Sequence, residues 1–242
     1  MSAEHLYLLD VEGTVAPLTL TSELLFPYAR KHFEEFLKWS LQKRPAETGG
    51  GSVTADLLLL EEENGAEIEA GCPRYTENSL EQALAYLLWL MDRDRKSTAL
   101  KSLQGKIWKA GFESGELKGE IFPDVPAAFA RWSKQGKVAI YSSGSTQAQQ
   151  LLFRHTTHGD LTPFIAGYFD TRTGPKFEPA SYIAIAAAMR VAPAEAIFFS
   201  DVVKELDAAR AAGMESRLVV REGNPEVEEA RGHERIESFA NI

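Results

Sequence analysis

Two carboxylates, Asp10 and Glu12, follow the first apolar run of the chain and are separated by a single residue. Gly13 comes next and allows the chain to turn away from the end of that run. A carboxylate in such a place can attack phosphorus and form an acyl phosphate. Because aspartate and glycine are also common in ordinary turns, this motif by itself favours neither interpretation.

Small hydroxyl residues end the second apolar run, in the string Tyr-Ser-Ser-Gly-Ser-Thr at residues 141–146. Ser142, Ser143 and Gly144 stand where a predicted strand gives way to a predicted helix. Such a position presents hydroxyl oxygens and backbone N–H groups to an anion. The alternative is that a hydroxyl of this string only caps the helix that follows.

A lysine and two further carboxylates complete the set of candidate site residues. Lys176 lies in a loop before a predicted helix, where its ammonium can neutralise a phosphoryl group; the alternative is a solvated surface lysine. Asp201 follows another apolar run, and Glu205 comes one helical turn later. Carboxylate oxygens are the ligands that Mg²⁺ prefers, although Ser200 or Asp201 can also cap a helix.

Four short apolar runs are predicted to be buried strands, because such runs suit a parallel sheet with both faces covered. The runs are Leu6–Leu9, Val138–Tyr141, Ala196–Phe199 and Arg217–Val220. The last three alternate with predicted helices at Thr146–Arg154, Ala180–Met189 and Lys204–Ala212. This alternation predicts an α/β fold with a Rossmann-like open parallel sheet, in which ligands bind beyond the carboxyl ends of the strands.

The long connection between the first two runs is predicted to contain helices and no strand. The predicted helices are Ser22–Gln42, Thr54–Glu63, Leu80–Met91 and Thr98–Phe112, and the predicted loops are Pro45–Ser52 and Gly65–Pro73. A connection of this length far exceeds an ordinary crossover between strand and helix. We therefore predict an all-helical cap domain at residues 17–125, inserted into an α/β core formed by residues 1–16 and 126–242.

The composition excludes several classes of protein. The chain has 242 residues, of which 44% are hydrophobic and 25% charged, as is usual for globular proteins. The net charge is −9, whereas nucleic-acid binders typically carry an excess of basic residues. The single cysteine, Cys72, leaves no internal disulfide, and we find neither a signal peptide nor an apolar run long enough to cross a bilayer. We expect a cytoplasmic protein with no nucleic-acid or membrane partner.

The order of the motifs resembles the haloacid dehalogenase superfamily of phosphatases. A carboxylate pair, a hydroxyl, a lysine and a last carboxylate follow one another, and the predicted insertion resembles that superfamily's cap. The resemblance implies that Asp10 is the nucleophile and that Ser142, with its neighbouring N–H groups, and Lys176 hold the phosphoryl group. It also implies that Asp10 and Asp201 hold Mg²⁺, with Glu12 contributing its backbone carbonyl or its carboxylate. A binding protein on an inactive scaffold is disfavoured, because all these residues are present.

The residue two positions after Asp10 makes the resemblance specific to one branch of the superfamily. The superfamily usually has aspartate two residues after the nucleophile, whereas Glu12 stands there in this chain. The string Asp-Val-Glu-Gly-Thr at residues 10–14 resembles the enolase-phosphatase branch. Further strings agree, including Leu-Phe-Pro-Tyr at 25–28, Asp-Arg-Lys-Ser-Thr at 94–98 and Gly-Tyr-Phe-Asp-Thr at 167–171.

The resemblance to this branch implies a bifunctional enzyme of methionine salvage. Such an enzyme enolises 2,3-diketo-5-methylthiopentyl-1-phosphate and then removes the phosphate, giving the acireductone 1,2-dihydroxy-3-keto-5-methylthiopentene. It implies Mg²⁺ as the cofactor, a small phosphorylated metabolite as the substrate, and a monomer. The alternative is a phosphatase of the same superfamily that acts on another small phosphorylated metabolite.

Two roles stay open in the sequence. Glu12 is the first candidate for the enolisation base, and a cap residue or a water molecule is the alternative. Glu205 is a candidate for orienting water ligands of the metal. The sequence does not divide the roles of Glu205 and Asp207, which lie on the same predicted helix.

Overall fold

A computed structural model of the chain describes residues 5–42, 53–76 and 79–242. The predicted loop Pro45–Ser52 lies outside the described residues. Within them the strands are β1 (His5–Leu9), β2 (Gly136–Tyr141), β3 (Ile165–Phe169), β4 (Ala196–Ser200), β5 (Glu215–Val219) and β6 (Glu234–Ile236). They form one sheet in the order β3-β2-β1-β4-β5-β6, and every neighbouring pair is parallel.

The predicted open parallel α/β sheet is therefore confirmed, and all four predicted strands are present. The strands β3 and β6 are absent from the prediction, because both lie at the edges of the sheet and neither is a buried apolar run. The strand β3 contains Gly167 and no fully buried residue, and β6 is a three-residue strand with two exposed charged side chains.

The described helices are α1 (Phe26–Gln42), α2 (Val53–Ala66), α3 (Leu80–Asp92), α4 (Thr98–Ser114), α5 (Val125–Trp132), α6 (Thr146–Arg154), α7 (Pro179–Met189) and α8 (Val203–Ala211). The prediction of a regular helix from Ser22 is wrong, since Leu20–Leu25 forms a π-helical segment and α1 begins at Phe26. Pro27 explains this start, because proline fits only the first turn of an α-helix. The prediction lacks α5, a short helix with a proline at its start.

The chain divides into two compact units, with breaks after Thr21 and Ser114. The unit Ser22–Ser114 contains α1 to α4, and its described part contains no strand. The predicted insertion at residues 17–125 is wider than this unit. Its outer parts belong with the α/β unit, where the Phe122 N–H donates to the Val15 carbonyl at 3.0 Å.

Apolar side chains cover both faces of the sheet in the α/β unit. On one face, residues of β1 and β4 such as Leu8 and Phe198 pack with Tyr182 of α7 and Leu206 of α8. On the other face, the fully buried Trp132 of α5 has its ring centroid 5.3 Å from that of Phe199. Burial on both sides explains why β1, β2 and β4 consist of continuous apolar runs.

The helical unit has a hydrophobic core of its own. Each of its four helices contributes a side chain with no exposed surface, namely Phe33, Leu60, Leu87 and Leu103. Burying an aliphatic or aromatic side chain of this size contributes about 1.5–3 kcal/mol. No helix in the described part of the chain is both long enough and apolar enough to cross a membrane.

Candidate active site

The central strand β1 places Asp10 at its carboxyl end, between β2 and β4. Leu9 pairs with Ile140 of β2 on one side and with Phe199 of β4 on the other. The Asp10 N–H donates to the Phe199 carbonyl at 3.0 Å, and the residue is only 7% exposed. The chain runs from β1 to β2 and β3 on one side of the sheet and then crosses to β4 on the other side of β1. The carboxyl end of β1 is therefore the topological switch point, where ligands bind in open α/β sheets.

Lys176 is the direct partner of Asp10. Its Nζ lies 2.6 Å from Asp10 Oδ1 and 2.7 Å from Glu205 Oε2. Burial by itself would lower the pKa of the Lys176 ammonium, but the charges of Asp10 and Glu205 outweigh burial and hold that pKa above its ordinary value. The alternative of a solvated surface lysine is wrong, because Lys176 is 8% exposed.

Glu205 enters this ion pair from the first turn of α8. The Ser200 hydroxyl donates to Glu205 Oε2 at 3.0 Å. Burial, reinforced by the charge of Asp10, raises the pKa of Glu205. Asp207 points elsewhere, with its Oδ1 3.0 Å from His233 Nε2. The structure therefore distinguishes the roles of Glu205 and Asp207, which the sequence leaves open. Of these two residues, only Glu205 contacts Lys176.

Asp201 follows β4 and lies directly against Gly13. A methyl group added at Gly13 would stand 2.4 Å from Asp201 Oδ2, and the φ of Gly13 is +72°. Glycine is therefore required here both for the turn and for space. Burial, with a further contribution from the charge of Asp10, raises the pKa of Asp201 to about 6.

The donor set at this edge of the sheet fits a divalent cation. The negative charges of Asp10 and Glu12 both act on Asp201, and Lys176 supplies one positive charge beside Asp10. Oxygen donors with excess negative charge suit Mg²⁺, which commonly completes its shell with backbone or water oxygens. Such oxygens are needed, since no three His, Cys, Asp or Glu side chains of the described ranges form a metal-binding group by themselves.

The Glu12 carboxylate makes a contact that the sequence does not predict. The N–H of Thr21 donates to Glu12 Oε1 at 3.1 Å, at the start of the π-helical segment. The roles of Glu12 as metal ligand and as enolisation base stay predictions.

The loop after β2 caps the following helix and carries hydroxyl and N–H groups at the edge of the sheet. The Ser145 hydroxyl accepts from the Ala148 N–H at 3.2 Å, so the predicted helix cap is present. The Gly144 N–H donates to the Ser142 hydroxyl at 3.2 Å, which leaves the proton of that hydroxyl available to an anion. Ser143 and Gly144 are exposed at this edge of the sheet. Their binding of a phosphoryl group stays a prediction.

Sequence reasoning missed Arg221 and Asn224, which hold the loop after β1. Arg221 Nε donates to the Thr14 carbonyl at 3.1 Å, and Asn224 Nδ2 donates to the Gly13 carbonyl at 2.8 Å. Arg221 is 8% exposed and pairs with Asp124 at 3.0 Å. The signal was present, because Arg221 directly follows the last predicted strand, as Asp10 and Asp201 follow theirs.

Comparison with known proteins supports the sequence resemblance. The family model for haloacid dehalogenase-like hydrolases matches residues 5–213. The "Enolase-phosphatase E1" of Synechococcus elongatus is 50% identical over 222 residues, which are 91% of this chain and 90% of that protein. The protein of the same name from Pseudomonas aeruginosa is 42% identical over 236 residues, 97% of this chain and 96% of that protein.

A solved structure agrees over the full length. The UTR4 protein of Saccharomyces cerevisiae is 32% identical, with a TM-score of 0.79 over 99% of this chain and all of that one (100%). The resemblance predicted from the motifs is confirmed. This chain belongs to the haloacid dehalogenase-like hydrolases and, within them, to the enolase-phosphatase E1 family.

Proposed function

We propose that this chain is an acireductone synthase, a bifunctional enolase-phosphatase of methionine salvage. Its substrate would be 2,3-diketo-5-methylthiopentyl-1-phosphate, and its products the acireductone 1,2-dihydroxy-3-keto-5-methylthiopentene and phosphate. The observation that carries the proposal is the buried contact of Asp10 with Lys176, 2.6 Å apart at the switch point of the sheet. The name shared by its relatives supports the choice of substrate.

The phosphatase step uses Asp10 as the nucleophile. Lys176 engages Oδ1 of this carboxylate, so Oδ2 is the oxygen that attacks phosphorus. The phosphorus–oxygen bond to the substrate breaks as the aspartyl phosphate forms, and water then hydrolyses that intermediate. The Ser142 hydroxyl, the Ser143 N–H and the Lys176 ammonium stabilise charge on the transferred oxygens. The Gly144 N–H joins them by exchanging its bond to the Ser142 hydroxyl for one to the phosphoryl group.

Magnesium is the proposed cofactor. Asp10 and Asp201 would hold it with their carboxylates, and Glu12 with its backbone carbonyl or its carboxylate. When bound, the ion neutralises the approach of the anionic substrate to the Asp10 carboxylate. Lys176 supplies a second positive charge beside Asp10, and its ammonium is also paired with Glu205 at 2.7 Å.

The enolase step needs a base next to a carbon that adjoins a carbonyl, and Glu12 is the first candidate. The Thr21 N–H holds Oε1 of Glu12, which leaves Oε2 to accept a proton. A cap residue or water is the alternative. If Glu12→Gln blocked dephosphorylation but left solvent exchange of the substrate proton intact, Glu12 would not be this base.

A coupled assay tests the proposal. The purified protein is mixed with the diketo phosphate and Mg²⁺, and enol absorbance and free phosphate are followed together, with and without a chelator. We expect an enol signal followed by phosphate, and neither signal with chelator. Phosphate release from generic esters without an enol signal would instead favour a phosphatase for another small metabolite.

We also propose that the chain acts as a monomer in the cytoplasm, as the family resemblance implies. Light scattering coupled to gel filtration tests the first part directly, and a mass of two chains would contradict it. Fractionation of cells that express the tagged chain tests the second part.

A further inference from the structure

Three consecutive carbonyl oxygens of residues 174–176, the lysine loop, each accept a hydrogen bond from a side-chain hydroxyl. The pairs are Gly174 with Tyr141 at 2.8 Å, Pro175 with Ser181 at 2.7 Å, and Lys176 with Tyr182 at 2.8 Å. Loop carbonyls ordinarily bond to water at the surface of a protein. Three consecutive loop carbonyls that all accept from buried side-chain hydroxyls are therefore unusual and indicate that this loop is held in a defined position.

The three hydroxyl donors are themselves fixed in place. Tyr141 and Tyr182 have no exposed surface, and Ser181 is 2% exposed. Tyr141 ends β2, beside the strand that carries Asp10, whereas Ser181 and Tyr182 lie in the first turns of α7. The rings of Tyr141 and Tyr182 meet edge to face, with centroids 5.5 Å apart. The lysine loop is thus tied both to the central sheet and to the helix that follows it.

Close packing leaves this loop little freedom. A methyl group added at Gly174 would stand 2.3 Å from the Ser181 hydroxyl oxygen. At the other end of the lysine, Nζ lies 5.7 Å from the centroid of the Tyr141 ring, within the range of a cation–π contact. Tyr141 therefore contacts both the backbone of the loop and the ammonium that the loop presents.

We propose that Tyr141, Ser181 and Tyr182 are positioning residues for Lys176. Their hydroxyls hold the backbone of the lysine loop so that the ammonium lies between Asp10 and Glu205 before the substrate arrives. A lysine side chain is long and flexible, and it stabilises a transferring phosphoryl group only if it is already in place. The proposal rests on the phosphoryl-binding role given to Lys176 above.

The first test removes single hydroxyls and keeps the rings. Tyr182→Phe deletes the donor to the Lys176 carbonyl. Tyr168→Phe is the matched control, since the Tyr168 hydroxyl is buried and has no hydrogen-bond partner among the described residues. With p-nitrophenyl phosphate and saturating Mg²⁺, we expect Tyr182→Phe to lower kcat about tenfold and the control to change it less than about twofold. The Mg²⁺ concentration for half-maximal activity should not change in either variant.

A double-mutant cycle separates positioning from general stability. Binding of orthovanadate in the presence of Mg²⁺ is measured for Tyr182→Phe, for Lys176→Met and for the double variant, because binding stays measurable when turnover is lost. We expect Tyr182→Phe to weaken binding about tenfold in the parent chain and less than about twofold in the Lys176→Met background. Equal weakening in both backgrounds, or none in the parent, would overturn the proposal.

Two safeguards keep the outcome clear. Should Tyr182→Phe unfold at the assay temperature, Ser181→Ala removes the neighbouring bond and enters the same cycle. If the parent chain binds orthovanadate but gives no enol signal with the diketo phosphate, the proposed substrate fails while the cycle still decides the role of the hydroxyls.

Discussion

At the scale of single residues, the carboxylates of this site outnumber its one lysine. Asp10 and Glu205 share the ammonium of Lys176, at 2.6 and 2.7 Å, while Asp201 lies against Gly13 without a basic partner in the contacts described above. Lys176 supplies one positive charge for the two carboxylates that it contacts, and the third carboxylate leaves a place for a cation. The identity of each residue therefore has a direct consequence for the chemistry.

The first prediction concerns the nucleophile. Asp10→Asn keeps the shape of the side chain but removes the attacking oxygen anion. We expect phosphatase turnover to fall at least about a thousandfold, because the covalent step is lost. Binding of the substrate with Mg²⁺, measured by calorimetry, should persist. Near-normal turnover in this variant would rule out Asp10 as the nucleophile.

The second prediction concerns the glycine beneath Asp201. Gly13→Ala combines a positive φ with a collision against Asp201 Oδ2, so the carboxylate must move. We expect turnover to fall more than about tenfold, whereas the backbone strain should cost only about 1–3 kcal/mol of stability. Gly159→Ala is the control, since its φ is +90° and an added methyl group meets nothing within 4 Å. If both variants lost the same activity, displacement of Asp201 would not be the cause.

Among the secondary-structure elements, the loop after β5 supports the loop after β1. Arg221 and Asn224 donate to the carbonyls of Thr14 and Gly13, which belong to the turn that carries the carboxylate pair. The guanidinium of Arg221 also lies 4.6 Å from the Phe122 ring centroid. One buried arginine thus connects segments that are about two hundred residues apart in the chain.

The third prediction compares two arginines near β5. Arg221→Met leaves the half-buried Asp124 without its charged partner and the Thr14 carbonyl without its donor, so we expect a loss of about 1.5–3 kcal/mol in the free energy of unfolding by urea. Arg217→Met is the control, because its partners Glu215 and Glu234 are 55% and 64% exposed. That variant should lose less than about 1 kcal/mol. Equal losses in the two variants would contradict a special role for the pair of Arg221 with Asp124.

For the molecule as a whole, the raised pKa values of Asp201 and Glu205 link stability to pH. The folded state keeps protons on these carboxyls that the unfolded state releases, because their folded pKa values lie above the unfolded ones. Their contribution to stability is therefore fully present at acidic pH. This contribution is lost as the pH rises through the pKa values of the folded state. For Asp201 the folded pKa is about 6.

The fourth prediction tests this linkage without Mg²⁺. Asp201→Asn removes a half-buried negative charge that no cation neutralises, so we expect the variant to be about 1–3 kcal/mol more stable than the parent at about pH 7.5. The difference should shrink towards about pH 5, where the parent carboxyl holds its proton. Adding Mg²⁺ should raise the Tm of the parent chain but not that of the variant. A metal-free variant less stable than the parent at neutral pH would contradict the linkage.

Inspection of the amino-acid sequence was enough to locate the four inner strands and the helical insertion. It also predicted that carboxylates and a lysine share one edge of the sheet, where Asp10, Lys176 and Glu205 are in contact. Buried strands must be apolar, and the polar residues that end them meet at one edge of a parallel sheet, so a local pattern predicts a shared location. The same criterion failed for the two edge strands, because Gly167 interrupts the apolar residues of β3 and two exposed charged residues make up most of β6.

The partners of each site residue became known only from the folded chain. Glu205 beside Lys176, Arg221 beneath the turn after β1, and Tyr141 bonded to Gly174 are contacts between distant segments. No local periodicity encodes such pairs, since a hydroxyl or guanidinium has the same neighbours in the sequence whichever carbonyl it later contacts. Packing of the helices and loops against the sheet sets these distances, and with them the charge balance at Asp10.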